Sequence, residues 1–254
     1  MAESDYSIRS FKGGYDDNLT YLVTCMRTGN QFLVDASVPL EKIKSFIKPK
    51  GLIALFITHS HGDHIAYLDE YIEKHPNLVS MIYKESKDKI NCNYIKPIKN
   101  GDIVTVGQLS LEILYTPGHY NDSVCYLLDE ILFTGDTLFV GRTGRTISKG
   151  SNTRDLYKSI YDIILNLPHD TIIYPGHDYG PKMCISLSEN ISLSPLLQAE
   201  DENEKQAFEI MEKLVKIAPH FGFSVFERYV KAYCENKLDD LLPFTVENVS
   251  KSTD

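Results

Sequence analysis

The chain has 254 residues and a formal charge of −9, from 26 basic and 35 acidic side chains. A chain of this length buries about 70 % of the surface that it exposes when unfolded, so its fold needs no disulfide. The acidic balance, with no basic stripe, disfavours nucleic-acid binding. The five cysteines are scattered and form no C-x-x-C pair, and no apolar leader or long apolar run is present. These features predict a cytoplasmic protein that neither crosses nor binds a membrane.

The predicted elements form two β-rich halves, each with its own helices. Turn residues separate the short apolar runs that predict strands. In the first half, we predict strands over 18–26, 31–37, 52–58, 81–83 and 95–98, and helices over 40–47 and from about 63 to 75. In the second half, we predict strands over 102–106, 109–116, 123–128, 131–135 and 171–174, and a helix over about 153–165. Two such halves favour an α/β sandwich of two sheets with helices outside.

The chain changes character after residue 180. Apolar residues recur at helical spacing over 204–217 and 225–234, which predicts a helical C-terminal extension. We therefore expect a first domain over 1–180, a helical extension over 181–240 that packs on it, and a frayed tail over 241–254.

Three of the eight histidines lie in one short segment after the predicted strand 52–58. The segment reads His-Ser-His-Gly-Asp-His and contains His59, His61, Asp63 and His64. Imidazole binds zinc, iron and nickel, and a carboxylate adds a hard, charged ligand. Because a cation is the simplest compensation for such crowding, the segment predicts a metal site.

Three further loops each offer one such side chain at the end of a predicted strand. His119 follows Thr-Pro-Gly, Asp136 follows Phe-Thr-Gly, and His177 follows Tyr-Pro-Gly. The glycine before each of them lets the backbone turn sharply beside an ion. Seven potential ligands exceed the needs of one tetrahedral ion, whereas two ions about 3.5–4 Å apart would use them all if they shared a carboxylate. We predict that Asp136 is this bridge.

In this order the motifs H-x-H-x-D-H, T-P-G-H, F-T-G-D and Y-P-G-H-D-Y resemble the metallo-β-lactamase fold superfamily over about residues 6–180. The resemblance implies a four-layer αββα sandwich and a catalytic role for the first domain. It implies one metal at His59, His61 and His119, a second at Asp63, His64 and His177, and Asp136 between them. Asp63 and Asp136 are then the catalytic carboxylates. Asp35 would lie beside the metals and accept a hydrogen bond from a ligating histidine.

The segment 133–146 and the GHDYG motif that follows further along are similar to two branches, glyoxalase II (hydroxyacylglutathione hydrolase) and persulfide dioxygenase. By this resemblance Arg145 and Tyr179 contact the substrate, and a guanidinium suits a carboxylate of glutathione. The segment 194–205 is largely acidic, whereas glyoxalase II has basic residues in its helical region to bind glutathione. The resemblance therefore covers the metal ligands more closely than the substrate contacts.

We expect a hydrolase of the glyoxalase II type that cleaves a thioester of glutathione, or of a similar small thiol, by a metal-bound hydroxide. Its cofactors would be two divalent ions, with zinc favoured over iron and manganese. The alternative is a persulfide dioxygenase, in which the resemblance implies a single iron on His59, His119 and Asp136. These three residues belong to the seven, so the ligand set leaves both chemistries open.

Two other functions are less favoured. A nuclease conflicts with the acidic charge, and a purely structural zinc site would favour a closed, Cys-rich shell. The sequence leaves the oligomeric state open.

Overall fold

The computed structural model describes residues 5–86, 90, 92, 94–194 and 197. Its strands form two six-stranded sheets. The first sheet contains, in spatial order, β1 (Tyr6–Gly13), β2 (Asn18–Cys25), β3 (Gln31–Val34), β4 (Leu52–Phe56), β5 (Val79–Tyr83) and β6 (Ile95–Ile98). The second contains, in a spatial order that is also the chain order, β7 (Ile103–Val106), β8 (Leu109–Tyr115), β9 (Val124–Leu128), β10 (Ile131–Gly135), β11 (Ile172–Pro175) and β12 (Ile185–Ser186).

Helices cover the outer faces of both sheets. They are α1 (Leu40–Ile43), α2 (Leu68–Lys74), α3 (Thr153–Lys158) and α4 (Leu187–Leu193). Ile43 of α1 and Tyr71 of α2 are buried in an apolar layer on the first sheet, and Leu156 of α3 is buried in another on the second. A third layer lies between the sheets, where the rings of Phe56 and Tyr126 are 5.0 Å apart. These layers confirm the predicted four-layer αββα sandwich.

Strand direction brings the functional loops to one edge of the sandwich. β3 and β4 are parallel, and so are β10 and β11. β8 has the same direction as β10, because both are antiparallel to β9. The amide of Val124 donates to the carbonyl of Thr58 (2.9 Å), which joins the two sheets at this edge. Loops after the carboxyl ends of parallel strands are where α/β sheets bind ligands.

The segment after the histidine motif differs from its prediction. A helix was expected to begin at about Asp63, but α2 begins only at Leu68. The reason is tertiary: Ala36 donates its amide to the carbonyl of His64 (2.9 Å) and accepts from the amide of Tyr67 (3.0 Å). The backbone of this segment is therefore bonded to the loop after β3.

Two strands were not expected, namely β1 and β12, whereas α4 lies within the segment predicted to be a helical extension. β1 is an edge strand whose apolar residues are interrupted by Arg9 and Lys12, so it shows no continuous apolar run. β12 pairs with β11, and the fully buried Asn190 of α4 donates to the carbonyl of Phe139 (2.9 Å).

The second sheet thus continues past residue 180. The predicted extension over 181–240 is described as far as Ser194 and at Leu197. The helices predicted over 204–217 and 225–234 and the tail over 241–254 lie outside the described residues. Within the described part of the chain, no helix has the length and apolar character needed to span a bilayer.

Candidate metal centre

The predicted ligands come from four loops of the two sheets and meet at the shared edge. One group consists of His59, His61 and His119, here called the three-histidine group. Nδ1 of His61 lies 2.9 Å from Nε2 of His59 and 3.0 Å from Nε2 of His119. Three ring nitrogens therefore face a common point, although they come from the loops after β4 and β8.

A second group consists of Asp63, His64 and His177, here called the aspartate group. Oδ2 of Asp63 lies 3.3 Å from Nε2 of His177 and 3.6 Å from Nε2 of His64. The two imidazole nitrogens are 3.3 Å apart. This group joins the loop after β4 to the loop after β11.

Asp136, which follows β10, lies between the two groups. Its Oδ1 is 3.2 Å from Nε2 of His64, and its Oδ2 is 3.5 Å from Nε2 of His119 and 3.3 Å from Nε2 of His177. One carboxylate therefore faces histidines of both groups. This is the position that the sequence predicted for a bridge.

The donor set fits divalent cations. Oδ1 of Asp136 is buried and makes no well-aligned hydrogen bond with any described residue, although Nε2 of His64 lies 3.2 Å from it. A buried carboxylate oxygen without a well-aligned donor is costly, and a cation removes that cost. Imidazole nitrogens and carboxylate oxygens suit zinc, iron and manganese alike.

Two glycines allow the backbone to pass this close to the cluster. Gly135 has φ +49°, a left-handed conformation that favours glycine. A Cβ on Gly176 would lie 2.4 Å from Oδ1 of Asp136. The sequence suggested a sharp turn at both positions, but at Gly176 glycine is needed because any larger side chain would collide with the carboxylate of Asp136.

The other nitrogen of four histidines is held by a neighbour. Nδ1 of His119 donates to the carbonyl of Arg145 (2.8 Å), and Nδ1 of His177 donates to the carbonyl of Asp16 (2.6 Å). Nδ1 of His59 lies 3.1 Å from the hydroxyl of Thr58, and Nδ1 of His64 donates to Asp35 (2.8 Å). Such bonds fix the ring orientation and leave Nε2 free to bind a metal.

Asp35 is an almost fully buried carboxylate beside the cluster. It also accepts from the amide and the hydroxyl of Thr58, each at 2.8 Å. Its backbone has φ +60°, which Asp tolerates better than most residues. The structure places Asp35 against His64, the partner type that the resemblance implied.

The two groups differ in their protonation. Burial lowers the pKa of all three members of the three-histidine group, to about 4 for His61. Burial also acts to lower the pKa of His177, but hydrogen bonds to Asp136 and Asp63 outweigh it and raise the pKa to about 9. In the same way, Asp136 and Asp35 hold the pKa of His64 well above its usual value. At neutral pH the first group is uncharged, whereas His64 and His177 carry protons that a metal would displace.

The two predicted substrate contacts lie at the rim of the cluster. Arg145 is exposed, and its guanidinium has no hydrogen bond or ion pair with any residue that the structure describes. The Tyr179 hydroxyl donates to Asp16 (2.5 Å), and its ring stacks on His177 with centroids 4.7 Å apart. Tyr179 therefore supports a predicted ligand, and only its half-buried ring is available to a substrate.

Sequence reasoning missed two buried residues: Asn18 contacts a predicted ligand, and Asp122 holds Ser60, which lies between two of them in the chain. Asn18 donates from Nδ2 to Asp63 (2.9 Å), and Asp122 accepts from the amide (3.2 Å) and the hydroxyl (2.5 Å) of Ser60. Asp122 also accepts from Ser86 (2.8 Å). Neither residue lies in a ligand motif, so only the tertiary contacts identify them.

The family model of the metallo-beta-lactamase superfamily matches residues 13–177, which include all seven predicted ligands. The chain belongs to this superfamily. Hydroxyacylglutathione hydrolase of Dictyostelium discoideum is 30 % identical over 204 residues, which are 74 % of this chain and 70 % of that protein. A probable polyketide biosynthesis zinc-dependent hydrolase, BaeB of Bacillus velezensis, is 30 % identical over 65 % of this chain and 75 % of its own length.

A solved structure extends the likeness to the whole sandwich. The crystal structure of ETHE1 from Myxococcus xanthus is similar with a TM-score of 0.71 and 28 % identity, over 89 % of this chain and 97 % of that one. The family model and the two sequence relatives identify this superfamily member as a metal-dependent hydrolase.

Proposed function

We propose that the protein hydrolyses a thioester of glutathione, or of a similar small thiol, with the help of two divalent ions. The observation that carries this proposal is the position of Asp136. Its two oxygens face histidines of both ligand groups, within 3.2–3.5 Å. A single ion would leave the aspartate group, or the three-histidine group, without a function.

In this proposal the three-histidine group would hold one ion, the aspartate group would hold the other, and Asp136 would be available to both. Divalent cations supply Lewis-acid activation of water and of the thioester carbonyl. Zinc is our first choice because BaeB is named a zinc-dependent hydrolase. Iron and manganese accept the same donor atoms.

The protein's own side chains position these groups. Asp35, Thr58 and the carbonyl of Arg145 orient the histidines, and the carboxylates of Asp63 and Asp136 set the charge of the site. A thiol leaving group has a pKa of about 8.5 and can depart as the thiolate. The reaction therefore requires no separate proton donor from the chain.

Two observations favour glutathione as the thiol. The relative from D. discoideum is named for hydroxyacylglutathione. Arg145 is exposed at the rim, and a guanidinium can form paired hydrogen bonds to a carboxylate such as those of glutathione. The cytoplasmic location predicted from the sequence belongs to the same proposal.

A mononuclear iron dioxygenase that oxidises a persulfide is the second candidate. The likeness to ETHE1 favours it, and His59, His119 and Asp136 are all present in the cluster. It makes no use of Asp63 and His177, whose atoms converge on His64. For this reason we rank it below the two-ion hydrolase.

One purified sample can decide between the two reactions. Metal content would be measured together with hydrolysis of a hydroxyacyl thioester of glutathione and oxygen consumption with glutathione persulfide. We expect two ions per chain and hydrolysis. One iron per chain, with oxygen uptake and no hydrolysis, would overturn the proposal in favour of the second candidate.

A further inference from the structure

Asn18 is a fully buried polar residue at the end of the turn between β1 and β2. Its Oδ1 accepts from the amides of Tyr15 and Asp16, each at 3.2 Å. Two backbone donors therefore fix the orientation of the side-chain amide. The NH2 group must point the other way, out of the turn.

In that direction lies the aspartate group. Nδ2 of Asn18 donates to Oδ2 of Asp63 (2.9 Å) and lies 3.3 Å from Nε2 of His177. These are two of the three members of the aspartate group, and the third is His64. None of the hydrogen bonds described for Asn18 reaches the three-histidine group.

The turn that carries Asn18 is bonded firmly to the loop after β11. The amide of Leu19 donates to the carbonyl of Gly176 (2.8 Å), and the amide of Asp178 donates to the carbonyl of Asp17 (2.9 Å). Lys12 adds ion pairs to Asp17 (3.2 Å) and Asp178 (2.9 Å). These bonds hold the turn, and with it Asn18, in a fixed position next to Asp63.

Asp63 needs such a partner more than the other predicted ligands. Its side chain is 30 % exposed, whereas that of Asp136 is 9 % exposed. A partly exposed carboxylate has other rotamers available to it, and a directed donor favours the one in which Oδ2 faces His177. Its donors include Asn18 and the protonated Nε2 of His177, and of these two only Asn18 keeps its proton when a cation binds.

We propose that Asn18 is a positioning residue for the second metal, which orients Asp63 and thereby sets the affinity of the aspartate group without affecting the three-histidine group. The inference rests on the two-ion function proposed above. It adds a residue from the first hairpin to a site otherwise built from strand-end loops.

The test is a zinc titration of the metal-free protein against a chromophoric chelator. Asn18→Ser keeps a hydroxyl that can accept from the turn amides but cannot reach Asp63. We expect this variant to bind the second zinc ion 10–100-fold more weakly and the first within twofold of the wild type. Lys12→Met is the matched control, because it loosens the same turn without touching a predicted ligand, and both affinities should stay within twofold.

Three results would overturn the proposal: an unchanged second affinity in Asn18→Ser, an equal loss at both sites, or an equal second-site loss in Lys12→Met. If Asn18→Ser fails to fold, the wild type still provides a test by 15N NMR. The side-chain amide signals of Asn18 should move between one and two equivalents of zinc, and a shift complete at one equivalent contradicts the inference.

The titration also separates this inference from the proposed function. A wild type that binds two zinc ions without cleaving the thioester would refute the hydrolase proposal. The role of Asn18 would then still be decided by the zinc affinities of the variants. A wild type that binds a single ion would refute both.

Discussion

The two ligand groups lie side by side and are built in opposite ways. The three-histidine group is uncharged at neutral pH, and a backbone carbonyl and a hydroxyl hold two of its rings. The aspartate group contains a carboxylate and two histidines whose pKa values are raised by carboxylates. One group offers neutral nitrogens, whereas the other is an ion-pair network that already holds protons.

The carboxylates of the site are therefore concentrated around the aspartate group. Asp35, Asp63 and Asp136 all contact His64 or His177, and only Asp136 also approaches the three-histidine group. Protons on these histidines balance the carboxylates when no metal is present. A cation at the aspartate group would take over this balance, so its binding depends on every partner of that network.

Removal of the side chain of Asp136 should impair metal binding at both groups, because its carboxylate faces both. We expect Asp136→Ala to lose both ions and to reduce thioester hydrolysis by about 10³-fold or more, since cation assistance is worth several kcal/mol. Metal analysis after dialysis and kcat/KM measure the two effects. Asp162→Ala, an exposed aspartate after α3, is the control and should behave as wild type. Retention of both ions by Asp136→Ala would refute its assigned role.

Asp35→Asn should weaken metal binding at the aspartate group more than at the three-histidine group. An amide has one acceptor oxygen for the three donors that Asp35 now satisfies, namely the amide and hydroxyl of Thr58 and Nδ1 of His64. Asn also tolerates the left-handed backbone at this position, so the loop is spared. We expect the second ion to bind 10–100-fold more weakly, with a smaller change at the three-histidine group. Chelator competition measures both affinities, and an equal loss of affinity at the two groups would contradict this prediction.

The sequence predicted the sandwich and the ligand set because both have local patterns. Buried strands such as β4 are short apolar runs, and each predicted ligand lies in a segment that follows a strand end. The opposite protonation of the two groups could not be predicted, because it depends on distances such as that from Asp136 to His64. Nothing in the motifs points to Asn18 or Asp122, which become relevant only when distant segments meet.

The pH dependence should expose the same contrast in the unmodified protein. His177 has a pKa of about 9 without metal, so below pH 9 a cation must displace its proton. His61, with a pKa of about 4, is already neutral at pH 6–8. Between pH 8 and pH 7 we expect the second zinc affinity to fall about tenfold or more, and the first to change less than twofold. Chelator competition at each pH, corrected for protonation of the chelator, measures both slopes. Parallel slopes would contradict the assignment of charge to the two groups.

Arg145→Ala should leave both groups intact and change only the binding of substrate. Nδ1 of His119 bonds the backbone carbonyl of Arg145, which alanine retains, whereas the exposed guanidinium is lost. For a hydroxyacyl thioester of glutathione we expect KM to rise about two- to fivefold with kcat unchanged, because an exposed guanidinium–carboxylate pair is worth about 0.5–1 kcal/mol. The thioester of an uncharged thiol should show no change in KM.

Two controls make this the most specific of the four tests. Lys96→Ala removes an exposed cation from β6, at the far edge of the first sheet, and should leave KM unchanged for either substrate. Arg145→Lys retains the charge without the planar fork, so its KM should lie between those of the wild type and Arg145→Ala. A loss of zinc in Arg145→Ala would instead mean that the side chain supports His119. An unchanged KM with both ions bound would remove Arg145 from the substrate site and leave the thiol to be recognised by other residues.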